Sequence, residues 1–410
     1  MALSTEKVSN CIPNDLVYSI MSKLPLKSLH RFKCVHKSWV LLFENPYFMN
    51  MYRKRLISNI SYGDDTYLLL KKTRLDFENH SFLYLFYGER FDNKERLDWP
   101  PPFQNDDRDI NILGSGINGT LCLYVNNISS KVVVWNPEIE EFKVIPHKPS
   151  VSVQHYVKVV DQLHGFGYDF VRDDYKIIRY VEFYTDLFSF FDAQVNISLS
   201  NVVYDPFWEI YSLKSNSWRK LDLDMTTFYR SPVGVPEQVY MNGVCHWLGE
   251  SETYIDNVYL VSFDLGTEEF ALTFIPSDVD NNINFELVDT HLILLNESIA
   301  LIFNDAQMNT FHISILGEIG VKESWIKLFI VGPLSYLGDP IGAGKNGEIF
   351  VAKEDNELAR CDLNTHTIQE LGIKGVFHRC QMVIYKKSLL SFSEKPSFNL
   401  RKFFCSCLGL

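Results

Sequence analysis

Apolar positions follow two patterns along this chain. Before residue 57 they recur at helical spacing. Leu16, Ile20 and Leu24 stand at i, i+4 and i+8, with Val17 and Met21 beside them, so a stripe runs down one helix. Ile12-Pro13-Asn14-Asp15 begins that helix: a proline near the first turn loses no needed N–H, and Asp15 suits the positive end of the dipole. Pro25 stops it. Ser28 suits an N-cap for a following turn with Leu29, Phe32 and Val35. Trp39, Leu42 and Phe43 mark a third helix, which Asn45-Pro46 ends, and Tyr47 to Leu56 can form a further short one. A module this short buries little core alone, so its stripe is a candidate docking surface.

From about residue 60 to 395 the apolar runs are short and bounded by turns, which predicts strands. One unit recurs. Asn118-Gly119, Asn242-Gly243 and Asn346-Gly347 each open an apolar strand, and Asn-Gly is a strong hairpin signal. Further strands follow, ending in a polar turn and an anchor: Val133-Val134-Trp135-Asn136 to Phe142, Ile210-Tyr211-Ser212-Leu213 to Trp218, Phe263-Asp264-Leu265 to Phe270, and Cys361-Asp362-Leu363 to Ile368. Phe311–Leu316 to Trp325 has a longer turn, and Leu83–Tyr87 to Leu97/Trp99 is a sixth, degraded copy, with its anchor taken at Leu97. The anchors are 45, 76, 52, 55 and 43 residues apart. Those steps cluster around the roughly 50-residue period of kelch-type blades and predict a propeller of six. The 76-residue step has room for an insertion near Thr185–Asn201. Closure is expected by pairing Gln381–Tyr385 with Tyr67–Leu70. A β-sandwich with as many strands is the competing architecture, because loose spacing does not fix blade number.

Charge separates the same two regions. Residues 1–60 hold nine Lys/Arg and three Asp/Glu, a net +6, within a chain of net −12, which leaves −18 for the remainder. So acidic a body disfavours nucleic-acid binding. Eight cysteines in 410 residues, with no CxxC pair, are too sparse for a disulfide scaffold and suit a reduced, cytoplasmic or nuclear chain. No signal peptide and no membrane-length apolar run is read.

The head resembles an F-box. The resemblance rests on Ile12-Pro13-Asn14-Asp15-Leu16, Ile20, Leu24-Pro25-Leu26-Lys27-Ser28-Leu29, Arg31-Phe32-Lys33-Cys34-Val35, Lys37-Ser38-Trp39 and Pro46-Tyr47-Phe48. Ile12 and His36 depart mildly from the pattern. The resemblance implies a trihelical motif that binds a Skp-type adaptor and, through it, a cullin ubiquitin ligase. By position, Ile12, Pro13, Leu16, Ile20, Leu24 and Pro25 would face the adaptor, with Trp39 packing the motif and reaching the partner. The body resembles the plant F-box-associated interaction domain of S-locus F-box proteins and their relatives. Its motifs are Phe166-Gly167-Tyr168-Asp169, Asp173-Asp174-Tyr175-Lys176-Ile177, Trp135-Asn136-Pro137, Leu295-Asn296-Glu297-Ser298 and Glu323-Ser324-Trp325. The implied organisation is an α+β chain by domains: an F-box over 1–56, an all-β kelch-like propeller over 57–395 and a tail over 396–410.

Signs of bond chemistry are weak. Gly114-Ser115-Gly116-Ile117-Asn118-Gly119 and Gly342-Ala343-Gly344-Lys345-Asn346-Gly347 match G-x-G-x-x-G, yet both lead into strands, where a dinucleotide site needs a helix. Neighbouring acids at Asp64-Asp65, Asp106-Asp107 and Asp173-Asp174 are expected to be solvated turn residues. Cys245 and His246 point to opposite faces of one strand and cannot act as nucleophile and base. No metal site or cofactor is expected. Cys407-Leu408-Gly409-Leu410 has the outline of a prenylation signal, with Gly409 a poor fit and a frayed tail the plain alternative. The expected function is a non-catalytic receptor of a Skp–cullin–F-box ligase that binds an unidentified target protein. Tyr184, Phe188, Phe190 and Phe191 are weak candidates for the target contact, or else core strand. The alternatives are a propeller enzyme or sugar-binding kelch protein, and an F-box protein acting outside the ligase.

Overall fold

The computed structural model describes residues 14–21, 39, 41, 45 and 48 and, from Thr66 to Phe392, the strands with many of their connections. All other residues before 66, residues 393–410, and chiefly 74–79, 89–92, 126–130, 148–152, 154–156, 186–203, 223–227, 230–236, 252–257, 276–288, 306–309, 333–337 and 376–378 lie outside that description. Among the described residues, helix α1 (Asn14–Met21) precedes 25 strands in six antiparallel sheets. Blade 1 contains β1 (Thr66–Thr73), β2 (Ser81–Tyr87) and β3 (Asn93–Leu97). Blade 2 contains β4 (Ile110–Ile117), β5 (Thr120–Val125), β6 (Lys131–Asn136) and β7 (Glu141–Ile145). Blade 3 contains β8 (Val157–Asp169), β9 (Asp174–Thr185), β10 (Phe207–Ser212) and β11 (Ser217–Lys220). Blade 4 contains β12 (Phe228–Tyr229), β13 (Gln238–Met241), β14 (Val244–Ser251), β15 (Val258–Asp264) and β16 (Phe270–Phe274). Blade 5 contains β17 (Asp289–Leu295), β18 (Ser298–Asp305), β19 (Thr310–Leu316) and β20 (Trp325–Val331). Blade 6 contains β21 (Pro340–Ala343), β22 (Glu348–Ala352), β23 (Glu357–Asp362) and β24 (Thr367–Lys374). The last strand, β25 (Cys380–Lys386), returns to blade 1.

β25 closes the ring at the expected register, with Tyr67 opposite Tyr385 and Leu70 opposite Met382. Each sequence anchor lies on an outermost strand: Leu97 on β3, Phe142 on β7, Trp218 on β11, Phe270 on β16, Trp325 on β20 and Ile368 on β24. The 76-residue step is accounted for by the long β8–β9 hairpin and the connection over 186–206.

The core lies between blades. Side chains on a strand point alternately to its two faces, and each face meets a neighbouring blade. Leu68 and Leu70 therefore pack towards Phe350 and Leu358 of blade 6, whereas Leu69 packs towards Ile110 and Leu123 of blade 2. Clusters of this kind span every seam of the ring. Burial on both faces explains unbroken apolar runs such as β5, all of whose residues are buried.

In blades 2, 4 and 6 the polar residue of the repeat turns the corner into the outer strand. Asn136 accepts from the Glu138 N–H, Asp264 from those of Gly266 and Thr267, and Asp362 from that of Thr365. The turn holding Asn118 and Gly119 has φ of 51° and 78°, and that holding Asn242 and Gly243 has 51° and 88°, as a two-residue hairpin requires. These tight turns share one face of the ring with the start of β1 and the end of β25. Connections on the opposite face, such as 98–109, 186–206, 221–237 and 275–288, are longer.

Candidate functional site

Helix α1 is held on one side and left open on the other. Met21 is 5% exposed and Phe48 is fully buried. The Tyr18 and Phe48 rings lie 6.1 Å apart. Asn45 ties the two together: its Nδ2 donates to the Tyr18 hydroxyl at 3.0 Å, and its Oδ1 accepts from the Phe48 N–H at 3.3 Å. On the other side Leu16 and Ile20, one helical turn apart, are 52% and 54% exposed. Burying such a side chain is worth about 1.5–3 kcal/mol. The pair therefore forms an exposed apolar ridge on a packed support. Trp39 is partly buried and Leu41 exposed. Ile12, Pro13, Leu24 and Pro25 lie outside the described residues.

Of the candidate target-contact residues, Tyr184 lies near the end of β9, is half exposed, and donates its hydroxyl to the Glu182 carboxylate at 3.0 Å. Phe188, Phe190 and Phe191 lie outside the described residues.

The motif between Phe166 and Ile177 clamps blade 3 to blade 4. Asp169 is buried; its carboxylate accepts from the Val171 and Arg172 N–H groups and pairs with Lys176 at 2.7 Å. Burial raises the Asp169 pKa, but hydrogen bonds from Lys176 and Arg172 outweigh it and hold the acid below its ordinary value. Lys176 also donates to the Leu265 carbonyl at 2.8 Å and to Glu268 at 2.9 Å, both beyond β15. Gly167 has no side chain because one would strike Leu265 and the Tyr240 ring.

Of the neighbouring acids, Asp173 is an exposed turn residue as expected, Asp64, Asp65 and Asp107 lie outside the described residues, and Asp106 and Asp174 depart from the expectation. Asp174 is buried, accepting from the Ser212 hydroxyl and from the Lys214 N–H at 2.9 Å, and Asp106 pairs with Arg108 at 2.7 Å. Their partners lie too far along the chain, or fold back too locally, for spacing to disclose. Arg179 was missed for the same reason: it is buried, pairs with Asp161 at 3.1 Å and with Glu209, and stacks 3.8 Å from the Trp218 ring. Cys245 and His246 are both buried; the His246 Nδ1 lies 2.8 Å from the Ser262 hydroxyl. Among the described residues no group of three His, Cys, Asp or Glu could hold a metal ion.

An F-box domain family model matches residues 9–50, which include α1. A second, the F-box associated beta propeller domain, matches residues 104–398, most of the chain. The chain belongs to this F-box family. The propeller match begins after β3, so the first three strands of the ring-closing blade precede it. This F-box protein is 24% identical to the F-box protein CPR1 of Arabidopsis thaliana, over 88% of this chain and 84% of the relative. It is 26% identical to an F-box/kelch-repeat protein of the same plant, over 90% of this chain and 91% of the relative. Among solved structures, the Aleuria aurantia lectin is similar at 10% identity and a TM-score of 0.41, over 77% of this chain and 96% of that one.

Proposed function

We propose that this F-box protein is a non-catalytic substrate receptor of a Skp–cullin–F-box ubiquitin ligase. The exposed Leu16 and Ile20 ridge, within the F-box match, carries the reading. The ridge docks a Skp-type adaptor by apolar burial, with Ile12, Pro13, Leu24, Pro25 and Trp39 completing the surface, and the adaptor brings the cullin. The propeller takes a target protein on the face bearing the longer connections. That face is opposite the one from which the chain enters β1. The ligase then gains rate from proximity rather than from chemistry on this chain. The protein works in the cytoplasm or nucleus; the four described cysteines, Cys122, Cys245, Cys361 and Cys380, are free thiols, in keeping with a reducing compartment.

The test is a pull-down of the full chain with a plant Skp-type adaptor, wild type beside Leu16→Ala/Ile20→Ala. The double variant should lose adaptor binding while its β-sheet circular dichroism stays unchanged. A double variant that still binds the adaptor refutes the docking assignment.

A further inference from the structure

A cavity of about 140 Å³ opens on the outer rim of the seam between blades 6 and 1, lined by Lys72, Tyr84, Lys94, Gly372, Ile373 and Lys374. Half of that lining is lysine, and none of it is acidic. The strand register explains the convergence. Lys72 stands opposite Phe82, Tyr84 opposite Arg96, and Phe86 opposite Lys94. Lys72, Tyr84, Lys94 and Arg96 therefore share the face of blade 1 whose inner positions, Leu68 and Leu70, pack on blade 6. From blade 6, β24 brings Gly372 to Lys374 to the same opening.

The Lys72 ammonium donates to the Lys374 carbonyl at 3.0 Å and lies 5.5 Å from the Tyr84 ring centroid. Lys94, Arg96 and Lys374 make no ion pair among the described residues. Arg96 lies over the Phe82 ring at 4.8 Å. Glu357, opposite Lys374 in the register, has an Oε1 that accepts from the Ile373 N–H at 2.9 Å. Three buried cations elsewhere in this acidic body are paired: Lys71 with Asp109, Lys176 with Asp169 and Arg179 with Glu209. At Gly372 no atom lies within 4 Å of where a Cβ would stand, so the mouth is open there.

We propose that this cavity is an oxyanion site that takes the phosphate group of a small phosphate compound. The ammonium groups of Lys72, Lys94 and Lys374 donate to the phosphate oxygens, and the Tyr84 ring offers a face to an organic substituent. Water occupies about 30 Å³ of liquid volume, so the cavity holds a group of about five heavy atoms. Because the site straddles the seam next to the strand that closes the ring, its ligand braces blade 6 against blade 1.

The test is isothermal titration calorimetry of the full chain with phenyl phosphate and with inorganic phosphate at low salt. Wild type should bind, and Lys94→Gln/Lys374→Gln should weaken binding about tenfold or more, while the charge-matched Lys214→Gln/Lys322→Gln stays within about twofold. Lys94, Lys374, Lys214 and Lys322 all lie at the surface or in part-exposed positions, so both variants should fold, and equal circular dichroism checks this. The thermal midpoint should rise with phosphate in wild type and not in Lys94→Gln/Lys374→Gln. Tighter binding of phenyl phosphate identifies an ester ligand using Tyr84, and equal affinity a free phosphate. No binding of either probe at millimolar concentration overturns the site, as does an equal loss in both double variants, which would mean general charge attraction.

Discussion

His164 occupies a β-bulge, where the β8–β9 register shifts between Leu163 and Gly165. The bulge turns its ring into the blade 3–blade 4 core, 4.9 Å from the Trp208 ring and 5.4 Å from that of Trp247. Burial lowers its pKa to about 3, and burial lowers that of His246 to about 4. Both are neutral in the fold, whereas an unfolded histidine takes up a proton below about pH 6.5. The unfolded state therefore binds more protons as pH falls from 7 to 5, and stability drops over that window. Each histidine should contribute a loss of roughly 2 kcal/mol by pH 5. Urea denaturation at pH 7 and pH 5 checks this. His164→Leu should show about half the wild-type loss between those values, whatever its stability at pH 7. Parallel pH dependence in wild type and variant would show that His164 is not the group responsible.

The turn elements divide by how much of their chemistry is local. Gly119 has a φ of 78°, and a Cβ there would meet the Ser388 N at 2.8 Å as well as the Ser388 Cβ. Gly320 has a φ of 85° but no atom within 4 Å of its Cβ position. Gly320→Ala should thus cost only backbone strain of about 1 kcal/mol, and Gly119→Ala about 2–4 kcal/mol, because strain adds to a clash with backbone. Equal losses in thermal melts would sink the claim that the C-terminal segment packs on this turn. Asn118-Gly119 and Asn242-Gly243 were legible because turn type and residue type correspond one to one. In blades 3 and 5 the equivalent turns place Asp173 at φ 55° and Glu297 at φ 63°, with no glycine beside them to signal the hairpin. The anchors were legible for a similar reason, since each is the aromatic or aliphatic residue of an outer strand. Lys176 and Arg179 were not: their partners Glu268 and Glu209 lie 92 and 30 residues away, and no local pattern links them. On α1 the Leu16–Ile20 ridge was legible from helical period alone, whereas the lysine cavity needed the register of β1 to β3 and the arrival of β24.

Across the whole molecule the ring depends on a strand near the end of the sequence. β25 pairs with β1 and also grips blade 2. The Gln381 side chain accepts from the Ile112 N–H and donates to the Ile112 carbonyl, both at 2.9 Å. Asn136 Nδ2 donates to the Ser388 and Leu390 carbonyls at 3.1 and 3.0 Å, and Glu141 accepts from the Ser391 hydroxyl and the Phe392 N–H. Close approach is built in: a Cβ on Gly116 would lie 2.8 Å from the Tyr385 ring, and one on Gly342 would strike the Met382 carbonyl. Each blade buries its two faces only against its neighbours, so an opened ring exposes the seams on either side of blade 1 together. Calorimetry should therefore show one cooperative transition for the wild-type body. Ending the chain at Gly375 removes β25, exposes the β1 edge and should abolish that transition, leaving a protein prone to edge-to-edge association. Gln381→Ala is the milder probe. It leaves β25 in place but strips the partners from two Ile112 backbone groups, at about 1–3 kcal/mol each, so its single transition should shift to lower temperature without broadening. A chain ending at Gly375 that melts as sharply, and at the same temperature, as wild type would mean that blade 1 holds without closure and that the six blades do not act as one unit.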